Sequence, residues 1–325
     1  MAPPRLAPGD EIRIVTPARS LAVTSDTVRD IAYSRLTGLG LHVSFGQNAN
    51  EIDESRSSPV QSRIHDLHEA FADKSVKAVL AAEGGYNTNQ ILSYVDYQLI
   101  RRNPKVFCGF SDITALNDAI LAKAGLMTYY GPVYSSFGER DHFEYSLEHF
   151  RKCVFDSAPV TVRPSENWSN DRWRADQDAR ALITNEGYWP IHEGEARGTI
   201  VGGNLDTLNL LQGTEFMPRL DGAILFVEDD SATSLPILDR NLQSIFHLPD
   251  FRRVKALIMG RFEKASNIAR EDLERLVRAK KELGAIPVVA NVDFGHSEPR
   301  ITFPIGGTAS LSVTKKETTL VILKH

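Results

Sequence analysis

Only two cysteines, Cys108 and Cys153, occur in 325 residues, too few for a disulfide framework. Cys108 lies within an apolar strand pattern and reads as a buried free thiol. No apolar run approaches the ~20 residues that span a bilayer. The first ten residues, Met-Ala-Pro-Pro-Arg-Leu-Ala-Pro-Gly-Asp, hold no apolar stretch of the kind a secretory signal needs. These absences predict a cytoplasmic protein without membrane contact. Basic runs are also lacking. The formal net charge is −5, and Arg278-Ala-Lys-Lys281 falls in a helical pattern as a solvated face, so a nucleic acid polymer is not an expected partner. There is no internal repeat and no low-complexity segment. What is present is ordinary for a globular chain, with 42% hydrophobic and 24% charged residues, at a length that favours two domains.

The first half alternates strand and helix signals. Glu11–Pro17, Leu41–Phe45, Val76–Ala82 and Lys105–Phe110 read as strands. Ser25–Gly38, Ser62–Lys74, Asn87–Leu99 and Asp112–Ala124 read as helices, with apolar residues three and four apart in the first two. This β-α alternation predicts a parallel sheet with helices on both faces over 1–150. Residues 151–197 contain all three tryptophans, Trp168, Trp173 and Trp189, but little periodicity, and read as a linker with an ordered loop. Strand signals return in 198–325, at 222–227, 254–259, 287–290, 301–303 and 318–323, with helices at about 236–247 and 270–283. This predicts a second, smaller α/β domain.

Ser111, in Gly109-Phe-Ser-Asp112, sits where a strand ends and a helix begins. A serine there lies at the carboxyl edge of the sheet, where open α/β folds place their sites, and next to the free N–H groups of a helix start. It suits a nucleophile, although Ile113 occupies the place of the second glycine of a nucleophile elbow. By local sequence alone a helix N-cap is the commoner role for such a serine. Gly84-Gly85, at another strand-to-helix junction, can form half of an oxyanion hole, a tight turn or a phosphate nest. A serine nucleophile needs a base. Among nine histidines, His296 stands out in the interstrand loop Asp293-Phe-Gly-His-Ser-Glu-Pro299, though it also reads as a surface residue. Glu228 ends a buried strand and needs a partner there, which an imidazole N–H supplies. Asp229 and Asp230 follow, so metal ligation is the competing reading of that cluster.

The stretches Ala82-Glu-Gly-Gly-Tyr-Asn87, Gly109-Phe-Ser-Asp-Ile-Thr-Ala-Leu116, Gly202-Gly-Asn-Leu205, Phe226-Val-Glu-Asp-Asp230, Phe294-Gly-His296 and Phe303-Pro-Ile-Gly306 resemble, in order, motifs of the LD-carboxypeptidase family of serine peptidases. The likeness runs over nearly the whole chain. The long middle segment, 165–189, is more similar to the microcin C immunity peptidases of that family than to its murein tetrapeptide carboxypeptidases. The resemblance implies an α/β fold: an N-terminal flavodoxin-like parallel-sheet domain and a smaller C-terminal swivelling β/α domain. It also implies a homodimer with no metal and no cofactor. It further implies Ser111, Glu228 and His296 as a catalytic triad, and the amides of Gly85 and Asp112 as its oxyanion hole. Trp168, Trp173, Asn204 and Glu263 become candidate substrate contacts. The implied reaction is amide hydrolysis, on an aminoacyl-nucleotide or on a murein tetrapeptide. A reading of another class is a nucleotide- or sugar-binding module without catalysis.

Overall fold

A computed structural model describes all 325 residues. In chain order the strands of the first half are β1 (Glu11–Val15), β2 (His42–Phe45), β3 (Val76–Ala81), β4 (Val106–Gly109) and β5 (Thr128–Tyr130). Between them run α1 (Asp26–Gly38), α2 (Val60–Ala72), α3 (Tyr97–Arg102) and α4 (Thr114–Ala124), and α5 (Glu144–Val154) follows. The strands β2, β1, β3, β4 and β5 pair in parallel in that order. In β3 and β4 every residue except Lys77 is buried, as expected for a sheet covered on both faces.

The remaining strands are β6 (Val160–Val162), β7 (Asn167–Trp168), β8 (Ile183–Thr184), β9 (Trp189–His192), β10 (Gly194–Asn204), β11 (Ala223–Glu228), β12 (Ala256–Gly260), β13 (Val288–Val292), β14 (Phe303–Ile305), β15 (Thr308–Val313) and β16 (Thr318–Lys324). Helices α6 (Leu205–Asn209), α7 (Leu235–Phe246) and α8 (Arg270–Ala279) lie among them. Eight of these strands form a second, mixed sheet in the order β6-β16-β15-β10-β11-β12-β13-β9. Its centre, β10 to β13, is parallel. β15 alternates inward Ala309, Leu311 and Val313 with partly exposed neighbours, the pattern of an antiparallel strand with one wetter face. Strand β14 leaves this sheet and pairs with β5 of the first, so one hydrophobic core runs through both halves.

Three expectations need adjusting. The segment read as a linker supplies both edges of the second sheet, β6 and β9, and a short hairpin, β7–β8. The helix expected at Asn87–Leu99 breaks into a 3₁₀ stretch, Thr88–Tyr94, and α3, because Asp96 caps a fresh start by accepting from the N–H groups of Gln98 and Leu99. The longest strand of the second sheet, β10, carries no clear strand signal, since its glycines depress strand propensity. At Gly202 the backbone of β11 runs so close that an added Cβ would lie 1.9 Å from the Phe226 carbonyl oxygen.

Candidate active site

Three chain segments meet at the carboxyl ends of the two sheets. Ser111 follows β4, Glu228 is the last residue of β11, and His296 lies in the loop after β13. His296 Nδ1 is 2.7 Å from Glu228 Oε2, and its Nε2 is 3.0 Å from Ser111 Oγ. An ionised carboxylate only accepts, so Glu228 fixes the proton on Nδ1 and leaves Nε2 to accept from the serine hydroxyl. A hydroxyl held this way can pass its proton to the imidazole as it attacks an electrophile.

Ser111 has φ +63°, a left-handed conformation that costs a non-glycine residue energy and is held in place by its surroundings. Those surroundings are specific. The Ser111 N–H donates to Tyr130 Oη at 3.1 Å. The Gly-Gly loop presses against the serine, so that a Cβ at Gly84 would lie 3.0 Å from Ser111 Cβ. The Asp112 carboxylate accepts from the N–H groups of Asn87 and Thr88 and from the Thr88 hydroxyl at 2.7–2.9 Å, which ties the Gly84-Gly85 loop to the serine turn. Within the chain, neither the Gly85 N–H nor the Asp112 N–H has an acceptor, and both residues line the cavity that Ser111 faces.

Glu228 is buried, 1% exposed. Burial alone would raise its pKa. The charge and hydrogen bond of His296, with donors from Tyr130 Oη (2.6 Å) and Asn204 Nδ2 (3.3 Å), bring it below the ordinary carboxylate value. For His296 burial alone would lower the pKa, but Glu228 outweighs it and raises the imidazole above its usual 6.5, with Arg300 acting against the shift. The Arg300 guanidinium stacks 4.0 Å from the Phe110 ring centre, and Phe110 packs 5.3 Å from the His296 ring.

The other candidates take different places. Asn204 caps α6, its Oδ1 accepting from Thr207 N and Oγ1 while Nδ2 donates to Glu228 and Asp229. Its side chain thus orients carboxylates, and the residue also lines the cavity that Ser111 faces. Trp173 is buried, 3% exposed, at the edge of a cavity of about 650 Å³ that His296, Glu263 and Lys264 also line. Glu263 Oε1 accepts from Asn170 Nδ2 at 2.8 Å. Trp168 is half-buried in neighbouring grooves that include neither Ser111 nor His296, with Arg261 and Lys264 over its ring at 5.1 and 5.8 Å. Tyr130 and the Asp112 side chain were missed by the sequence reading. No sequence signal marked either, since each role depends on which segments the fold brings together.

Comparison with known proteins fits this geometry. Residues 12–131 match the LD-carboxypeptidase N-terminal domain and residues 197–311 the LD-carboxypeptidase C-terminal domain. The chain is 30% identical to the microcin C7 self-immunity protein MccF of Escherichia coli, over 96% of this chain and 93% of that one. It is 26% identical to the murein tetrapeptide carboxypeptidase of Pseudomonas aeruginosa, with 92% of each covered. The crystal structure of an MccF-like protein from Bacillus anthracis superposes with a TM-score of 0.99 at 50% identity, covering both chains fully. MccF in complex with glutamyl sulfamoyl guanosine superposes at 0.89 and 28% identity, over 99% of this chain and 98% of that one. The chain therefore belongs to the LD-carboxypeptidase family of serine-type hydrolases, within its MccF-like branch.

Proposed function

We propose that Ser111, His296 and Glu228 act as a catalytic triad that cleaves an amide bond, with the Gly85 and Asp112 amides as the oxyanion hole. The observation that carries this is the continuous hydrogen-bonded line from Ser111 Oγ through His296 to Glu228. Ser111 Oγ attacks the carbonyl carbon while Nε2 takes the hydroxyl proton. The oxyanion turns to the two N–H groups that have no acceptor within the chain. The C–N bond then breaks as His296 returns the proton to the leaving nitrogen. Water, deprotonated by the same imidazole, releases the acyl group and frees Ser111.

For the substrate we favour an aminoacyl-nucleotide whose leaving half is anionic, which would make the biological role detoxification or immunity. Support comes from the cavity beside His296, where Arg172, Arg174 and Lys264, with Arg300 paired to Glu298, stand near Phe110 and Trp173 and outnumber the acids Asp171, Glu263 and Glu298 by one. It also comes from the ligands of MccF, which carry sulfamoyl guanosine and sulfamoyl adenosine. The murein carboxypeptidase relative keeps a second reading in play, removal of a terminal amino acid whose carboxylate would meet the same cations. Turnover of an aminoacyl sulfamoyl adenosine and of a murein tetrapeptide, side by side and followed by mass spectrometry, decides between them. The expected result is at least tenfold higher kcat/KM on the nucleotide. The reverse order would replace the first reading by the second.

A further inference from the structure

We propose that Arg300 is a positioning residue for the base: it lays a fixed positive charge against the Phe110 ring, and that ring, packed on His296, keeps the charge close to the imidazole. The inference rests on His296 being the base of the reaction proposed above. Arg300 acts on it without a hydrogen bond to Ser111, His296 or Glu228.

A guanidinium needs a reason to be buried. Arg300 is 2% exposed, and its side-chain partners are few. Nη2 pairs with Glu298 Oε1, Nη1 reaches Ser136 Oγ at 3.4 Å, and Nε has no partner. A buried charge with one ion pair and an unmet donor contributes little to stability, and a well-packed apolar side chain would serve the fold better. What the arrangement does provide is placement. The guanidinium carbon stands 4.0 Å from the centre of the Phe110 ring, whose π face attracts the cation, and the same ring lies 5.3 Å from the imidazole. Phe110 is itself buried, so little water screens the charge. The main chain fixes the pair from two sides. Arg300 N donates to Ser146 Oγ of α5 at 2.9 Å, and Glu298 exchanges both backbone hydrogen bonds with Ser169, at 2.7 and 2.9 Å.

The charges around His296 act in opposite directions. Glu228, at the end of β11, and Asp230, just beyond it, favour the imidazolium, and Arg300 opposes it. Tyr130 of β5 donates to Glu228 and blunts its pull. Asp171, Arg172 and Arg174, with Glu263 and Lys264 from the turn after β12, line the same cavity as His296. Beside Arg300 stand Glu298 and Glu139, the latter paired with Arg180. Burial, then Glu298, push the Glu139 carboxyl up to about 9, so near neutrality Glu298 is the ionised partner of Arg300. His296 accepts the serine proton only when neutral. Glu228 works to keep it protonated, and Arg300 offsets that pull, which keeps the base available at lower pH.

The test reads His296 directly. The parent, Arg300→Met and Arg300→Lys are labelled at the histidine ring carbons and titrated by NMR, with His296 assigned from the spectrum of His296→Gln. In Arg300→Met the midpoint should rise by about half a unit to one unit, the size expected for one charge across a ring at an effective dielectric constant of about 20. Arg300→Lys keeps the charge and should stay with the parent. Turnover should follow. The ratio of kcat/KM at about pH 6 to that at about pH 8.5 should fall roughly threefold to tenfold in Arg300→Met and hold in Arg300→Lys. A midpoint in Arg300→Met at or below the parent's overturns the proposal, because a residue that only packs would lower the melting temperature and leave the titration in place. Should Arg300→Met fail to fold, Glu298→Gln/Arg300→Met removes one charge of each sign. Its midpoint should still rise, by less, since the guanidinium and not the carboxylate lies over the ring. A midpoint that rises while the activity ratio holds would count against His296 as the base, the reading beneath the proposal, and leave the action of Arg300 on the imidazole standing.

Discussion

The two flanks of the Ser111–His296 pair differ in charge and in construction. On the serine flank, Asp206 opens α6 and Asp229 and Asp230 follow directly from β11, so the acids ride on the ends of regular elements. On the histidine flank, Arg172 and Arg174 belong to the irregular stretch between β7 and β8, and Lys264 to a 3₁₀ turn after β12. Charges on a sheet edge are held to a fixed geometry, whereas charges on loops adapt and vary. The acid wall therefore suits one fixed recognition, and the loop-borne wall, where Arg172, Arg174, Lys264 and Arg300 stand with Asp171, Glu263 and Glu298, suits polar and anionic groups of several shapes. Complementary fields of this kind sort partners chiefly by rejecting the wrong sign.

The largest effect is expected where the flanks meet. Ser111→Ala should lower kcat by about 10⁴-fold or more on every substrate, since members of a triad act as a unit, with the circular dichroism spectrum and melting temperature retained. Activity within tenfold of the parent would remove the seam on which the comparison depends.

Tyr130→Phe comes next. Its hydroxyl donates to Glu228 Oε1 and accepts from the Ser111 N–H, so its loss loosens both ends of the proposed triad at once. We expect kcat to fall about tenfold to a hundredfold, in line with ~1.5–3 kcal/mol for a hydrogen bond to a charged group. The pH profile supplies the check that simple destabilisation would not mimic. His296 must be neutral to accept the serine proton, and its pKa lies above 6.5 because Glu228 outweighs burial. Activity should thus rise with pH along an acid limb centred above 6.5. Removing the Tyr130 donor leaves more of the Glu228 charge for the imidazole, so the limb should move to higher pH. A limb at or below 6.5 in the parent would contradict the electrostatics of the site.

Replacing Arg172 and Arg174 together by alanine tests the histidine flank by itself. KM for an aminoacyl sulfamoyl adenosine should rise about tenfold, because partly exposed charges contribute modestly, while kcat stays within about twofold of the parent. A fall in kcat as large as the rise in KM would show that the two flanks are not separate recognition surfaces.

Much of this arrangement could be read from the sequence, and the exceptions have physical causes. The parallel sheet showed because β3 and β4 are largely apolar runs, and β1 alternates Ile12 and Ile14 with Glu11 and Arg13, each followed by a helical pattern. Ser111, Glu228 and His296 stood out because each sits at a strand end beside a glycine, an acid pair or a proline-bounded loop. Tyr130 did not, since its role depends on β5 lying beside β4, which is a fact of sheet order. The Asp112 carboxylate was invisible for the same reason, its partners being about 25 residues earlier in the chain. The edge strands β6 and β9 are short, and the partners that make them strands are distant in sequence. Composition could not distinguish a buried Trp173 from a half-buried Trp168 in a segment with no period.

That last distinction gives the smallest effect. Trp168 faces grooves without Ser111 or His296, and its link to the cleft is Lys264, which lies 5.8 Å from its ring centre and also lines the cavity beside His296. A cation over a partly exposed ring is worth ~0.5–1 kcal/mol. Trp168→Ala should therefore raise KM for the nucleotide substrate only about twofold to fivefold, by releasing Lys264, and leave kcat for a small peptide nearly intact. A base stacked directly on the indole would make the loss about tenfold to a hundredfold. Trp173→Ala is the control, because emptying a buried indole costs ~3–5 kcal/mol of stability and lowers the melting temperature whatever the substrate. A hundredfold KM effect at Trp168 with an unchanged melting temperature would extend the leaving-group flank into the neighbouring groove, making the aromatic loop rather than its arginines the main reader of the nucleotide.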